Sequence, residues 1–151
     1  MSSNSAKKDR SNLLLVLQGA LLELGDRHQI LRQNGENGYV ISTGMRFHDR
    51  EPVTLVVEGT GVNLCVVSDD KLTKSRIGKS NLPAQALAIR NDMLSRYRNV
   101  YEADDALYVP SSFKLLSPAI SMLTGAVLTI DTASIVASHI LPEYATISGA
   151  S

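Results

Sequence analysis

Tryptophan is missing from this chain, cysteine occurs once, and two phenylalanines and five tyrosines are its only other aromatic residues. None of these rings interleaves with basic residues, which disfavours a stacking platform for single-stranded nucleic acid. The lone Cys65 cannot form an internal disulfide. Inside "NLCVV" it reads as a small core hydrophobe and suits a reducing compartment. Net charge is also missing: fifteen basic residues balance fifteen acidic ones, so no bulk field draws the chain to nucleic acid, to a membrane or to an acidic partner. The longest apolar stretch, Leu115 to Ile130, is interrupted by Ser117, Pro118, Ser121, Thr124, Gly125 and Thr129, and it falls short of the roughly 20 apolar residues a bilayer needs. "MSSNSAKKDR" leads straight into a helical pattern without a cleavage site for secretion. A soluble, cytoplasmic protein with no membrane partner is the expectation.

Recognisable catalytic signatures are equally scarce. There is no Gly-x-Ser-x-Gly elbow, phosphate-binding loop or dinucleotide fingerprint, and His28, His48 and His139 have no metal-ligand spacing. No cofactor is expected.

What is present is clear patterning. Residues 1–10 are polar and charged and read as a mobile arm. Ser11 or Asn12 can cap a helix in which Leu13, Leu14, Leu17, Leu21 and Leu24 form a stripe, with Gly25 as its left-handed stop. From Gln29 the period shortens. "QILRQ", "GYVISTG", "VTLVVEG" and "VNLCVVS" read as four strands, separated by "NGENG", by the charged "GMRFHDREP" and by a Gly59-Thr60-Gly61 turn. Leu55, Val57, Leu64 and Val66 are expected on one face and Val56, Cys65 and Val67 on the other. The apolar second face then calls for cover by the last helix or by a second copy of the chain. "LTKSRIGKSN" reads as a polar connection. Pro83 opens a helix to about Arg98, "NVYEADDALYVP" a strand pair turned at Ala103 to Asp105, and Ser111 or Ser112 a long apolar helix broken near Pro118 and Asp131. The tail from 142 to 151 is small and polar. The whole is an α+β domain over residues 11–141: an antiparallel sheet of four to six strands with helices packed on it.

Two charged clusters are candidate sites. The first is Asp69-Asp70-Lys71 at a strand end. Metal-dependent nucleases place an acidic residue on one strand end and an Asp/Glu-x-Lys on its neighbour, where the carboxylates hold a cation and the lysine helps the attacking water. Glu58 would supply the other carboxylate. The Gly-Thr-Gly turn, however, sets it about seven residues from Asp69, roughly 20 Å at 3.3 Å per residue; Asp49 or Glu51 would lie nearer. The alternative is that the aspartates only end the strand, through side-chain to backbone hydrogen bonds. On that reading, changing both to asparagine costs no more than about 1 kcal/mol, the scale of one cap, and no divalent ion raises the melting temperature. The second cluster is "MRFHDRE". Arg46, His48, Asp49 and Arg50, joined by Lys71, Lys74, Arg76 and Lys79 at the same end of the sheet, would form a basic rim for a protein surface or for nucleic acid.

The stretch "GYVISTGMRFHDREPVTLVVEGTGVNLCVVSDDKLTKSRI", with "YEADDALYVP" and the apolar helix beyond it, resembles an uncharacterised bacterial and prophage domain family. In that family a "TPF"-like strand end precedes a charged loop and a hairpin ending in "TDDG". "STGMRF" and "VSDDK" stand for these elements here, with Gly44 in place of the usual proline and Lys71 in place of glycine. The resemblance implies association with mobile elements and action by binding rather than catalysis. The functional expectation is therefore a non-enzymatic module that binds, and inhibits or assists, a larger host or phage protein. The alternatives are a metal-dependent phosphodiesterase using Asp69 and Lys71, and a nucleic-acid-binding accessory protein.

Overall fold

A computed structural model describes residues 3–149, with side chains for residues 12–135. The expected N-terminal arm, the C-terminal tail and His139 lie outside the residues whose side chains are described. Helix α1 spans Ser3–Leu24, so Ser11 and Asn12 fall inside it and do not cap it. Leu13, Leu17, Ala20 and Leu21 face the core, following the helical period, and Gly25 closes the helix at φ +112°.

Strands β1 (Gln29–Asn34), β2 (Gly38–Arg46), β3 (Pro52–Gly61) and β4 (Leu64–Ser68) follow as an antiparallel meander. After helices α2 (Leu72–Gly78) and α3 (Pro83–Ser95), strands β5 (Tyr101–Ala103) and β6 (Ala106–Ser112) complete a six-stranded sheet in the order β1-β2-β3-β4-β6-β5. The two-residue turn between β5 and β6 is Asp104-Asp105, both at positive φ, the turn type whose twist suits a hairpin. A 3-10 turn, Phe113–Leu115, leads into α4 (Leu116–Gly149). The architecture is α+β, with an antiparallel sheet.

Two expectations about the last helix are corrected. Pro118 falls in the first turn of α4, where its missing N–H would have had no partner, and α4 runs unbroken past Gly125 and Asp131. Phe113–Ile135 is in consequence long and apolar enough, by length and composition, to cross a membrane. In this fold it serves as the central core helix. Leu116, Ile120, Leu123, Val127 and Ile130 are fully buried, and α1, α2, α3 and the strands β4 and β6 all contact α4.

The β3–β4 hairpin turns later than expected, so that Glu58 lies opposite Val66 and not opposite Val62. Gly61 pairs with Leu64 around a Val62-Asn63 turn, and an irregularity between Gly59 and Gly61 absorbs the extra residue. Val57 therefore lies opposite Val67 and Gly59 opposite Cys65, and directly opposed residues share a face, so Cys65 and Val67, not Leu64 and Val66, go with Leu55 and Val57. Val53, Leu55, Val57, Cys65 and Val67 point into the helical layer, while Leu64 is exposed and Val66 half-buried. "LCVV" is apolar at every position, so alternation could not distinguish the two registers. The last helix covers the same face as α1, not the second face; there Val40 and Val56 pair with each other across β2 and β3.

This register predicts that Val67→Ala costs on the order of 2 kcal/mol in urea unfolding, because it leaves a cavity, and Val66→Ala less than half as much. The opposite ranking would put Val66, and not Val67, on the core face.

Candidate functional site

Asp69 ends β4 but is not at the surface; it is 1% exposed. Its Oδ1 accepts the N–H groups of Lys71 at 3.1 Å and Leu107 at 2.9 Å, and its Oδ2 accepts that of Thr73 at 3.0 Å. Its own N–H donates to the Leu107 carbonyl at 3.0 Å. One carboxylate thus joins β4, the first turn of α2 and β6, satisfying N–H groups that a helix start leaves unpaired. The chain turns through two left-handed residues, Asp70 at φ +51° and Lys71 at φ +67°, and both are exposed. The aspartate pair is accordingly split: Asp69 is a buried junction, and Asp70 remains on the surface with its N–H donating to Ser68 Oγ.

These bonds explain why "LTKSRIG" is the helix α2 and not a loop. Asp69 orders its start, and Thr73, Arg76 and Ile77 are its buried side. Arg76 does not join a basic rim. It is 6% exposed and lies at the meeting point of α2, α4 and the β2–β3 loop. Its Nε and Nη2 donate to Asp131 Oδ1 and Oδ2 at 2.7 and 3.0 Å. Its Nη1 donates to both oxygens of Asp49, at 3.2 and 3.1 Å, and to Glu51. The Phe47 ring packs against the guanidinium, 3.8 Å from its centre, a favourable cation–π geometry. Burial by itself would lower the Arg76 pKa, but the hydrogen bonds it donates to Asp131 and Asp49 outweigh it and hold the group above its ordinary value. The same contact with Arg76 holds the Asp49 carboxyl below the usual carboxylate range, against a smaller opposing effect of burial.

The loop Phe47–Glu51 closes on itself as well. Phe47 N–H donates to the Glu51 carbonyl, and Arg50 N–H to that of Phe47, with Arg50 at φ +72°. Arg46 Nη1 donates to the Arg50 carbonyl at 2.8 Å. Upstream, Gly44 sits at φ +71°, where a Cβ would overlap Arg27; the residue is needed for this close approach. His48 lies outside, its Nδ1 3.9 Å from Asp131 Oδ2. His48, Asp49, Glu51, Arg76 and Lys79 share a cavity of about 230 Å³.

The structure thus brings His48, Asp49, Arg76 and Lys79 together, as the rim required, but with carboxylates between the cations. Lys74 is engaged by Asp105 at 2.8 Å. Asp49 and Glu51 turn to Arg76 rather than toward Asp69. Glu58 pairs with Val66, three residues from Asp69, so about 10 Å separates them along the strand rather than 20 Å; they also lie on opposite faces. The residue that sequence reasoning missed is Asp131, read only as a helix break. A single acid inside "VLTIDTASI" is the legible signal, because a buried carboxylate requires a partner. Comparison with family models, curated proteins and solved structures returns no match to this chain.

Two outcomes follow. Asp69→Asn would keep the two bonds at Oδ1 but set an amide N–H₂ against the Thr73 N–H. It is expected to cost about 2–3 kcal/mol, while Asp70→Asn stays within about 0.5 kcal/mol; equal small effects would return Asp69 to the surface. Arg76→Met, which strands Asp131, should cost about 3–5 kcal/mol, and adding Asp131→Leu should recover most of it. Both are read from urea unfolding.

Proposed function

We propose that this protein acts by binding a larger protein, with the β2–β3 loop as the contact surface. The observation that carries this reading is the anchoring of a surface loop on a buried arginine. Phe47, Asp49 and Glu51 hold the loop from below through Arg76. Met45, Arg46, His48 and Arg50 are left facing outward. A connector between two strands needs no such fastening. A recognition loop gains from it, because ordering completed during folding is not charged again on binding. With Asp49 and Glu51 also about half exposed, the loop offers charges of both signs around the apolar Met45, which suits a protein surface of mixed charge. Asp70 and Lys71, exposed beyond the end of β4, extend the same charged set. A host or phage protein as the partner, inhibited or assisted by binding, accords with the family resemblance of the sequence. A reducing cytoplasm accords with the single cysteine, whose thiol burial pushes up to about 11.

The engagement of Asp69 by three backbone N–H groups, with its side chain buried, favours binding over phosphodiester hydrolysis, since three of the about four acceptor positions of the carboxylate are already used. Intervening carboxylates likewise weigh against nucleic acid at the rim.

The test compares the wild-type chain with Arg46→Ala/His48→Ala/Arg50→Ala as bait in bacterial host lysate. The triple variant keeps the Phe47, Asp49 and Glu51 contacts with Arg76 but loses the Arg46–Arg50 bond, so an unchanged circular dichroism spectrum verifies its fold, and it should lose a protein that the wild type retains at low salt. Equal capture by both forms would overturn the loop as the contact surface. Magnesium-dependent cleavage of nucleic acid that is lost in Lys71→Ala would overturn the binding reading.

A further inference from the structure

A second surface lies at another place in the fold. Strand β5 pairs with β6 only through Tyr108, so Pro110 to Ser112 have β4 on one side and, among the described residues, no strand on the other. The space beside them is a cavity of about 570 Å³ between the sheet and the start of α4. Leu64, Tyr101, Leu115 and Met122 stand around it, 52%, 45%, 59% and 40% exposed. Val62, in the adjoining hairpin turn, is 75% exposed. None of the described residues lining the cavity is charged.

We propose that a second copy of this chain packs over this cavity about a two-fold axis. The area is sufficient. At these exposures the five side chains offer roughly 100 Å² of apolar surface each, about 500 Å² together, which is the apolar share of an interface burying about 800 Å² per partner. The absence of charge points to self-association in particular. A two-fold contact brings a patch onto its own copy, so like charges near the axis would face each other; this lining has none to oppose. The contact is made by side chains and does not continue the sheet. Hydrogen-bonding directions alternate along a strand. Leu107 points its backbone groups at Asp69 beside β4, so Pro110, three residues on, points away from β4 into the gap, where it has no N–H to donate. A proline so placed blocks pairing with another strand. The protruding Leu115 and Met122 of one copy instead enter the cavity of the other. This inference stands independently of the loop proposed above, which draws on different residues.

The experiment is sedimentation of the full chain from about 1 to 100 µM, alongside Leu115→Glu, Met122→Glu and, as a control, Leu22→Glu on the exposed side of α1. Each site is exposed, and an unchanged circular dichroism spectrum verifies the fold. Wild type and Leu22→Glu should sediment at twice the chain mass. Leu115→Glu and Met122→Glu should weaken the dimer at least about a hundredfold. A monomeric wild type at 100 µM would overturn the proposal, and so would dimers that persist in both glutamate variants or are lost equally in Leu22→Glu.

Discussion

The Arg76–Asp131 pair is the interaction on which the charged end of this molecule depends. Two ions removed from water are expensive, and the cost is met only when their hydrogen bonds are complete. Here Asp131 receives two N–H groups from one guanidinium, and Nη1 turns outward to the loop carboxylates. Because Arg76 belongs to α2, Asp131 to α4 and Asp49 to the β2–β3 loop, a single side chain sets the mutual positions of three elements that hydrophobic contact would leave free to slide. The pair supplies orientation more than net stability, which non-directional apolar burial supplies.

Asp69 does comparable work on the other side of α2. By engaging the N–H groups of Lys71, Thr73 and Leu107, it fixes where β4 stops, where α2 begins and where β6 lies. A seven-residue helix with few strong helix formers has little independent stability; the Asp69 carboxylate at its start and the Arg76 anchor in its last turn explain how it persists. Arg90 of α3, likewise buried and paired with Glu102 of β5, ties the remaining helix to the sheet edge. The fold thus spends its most chemically conspicuous side chains on internal geometry. The recognition proposed for this protein then falls to the loop that Arg76 anchors and to the apolar surround of the β6 cavity.

Much of the architecture was legible in the residues. The leucine stripe and Gly25 marked α1, short β-branched runs marked the strands, Asp104-Asp105 fell in a predicted turn, and Pro83 opened α3. The candidate site was only half legible. His48, Asp49 and Lys79 could be placed at one end of the sheet, but Arg76 was counted as surface charge. Burial of a charge depends on partners 25 to 55 residues away, and no local pattern encodes such a separation.

By itself the sequence determined the order and type of most elements, because periodicity and turn chemistry are local properties of neighbouring residues. It determined neither the β3–β4 register nor the existence of α2. In "LCVV" both registers bury apolar side chains, and the contacts of Cys65 and Val67 with the helical layer select one. In "LTKSRIG" propensity is weak, and the long-range bonds of Asp69 and Arg76 decide for helix. Tertiary structure also decided which charges are chemistry and which are scaffold, since desolvation and pairing exist only once distant elements meet.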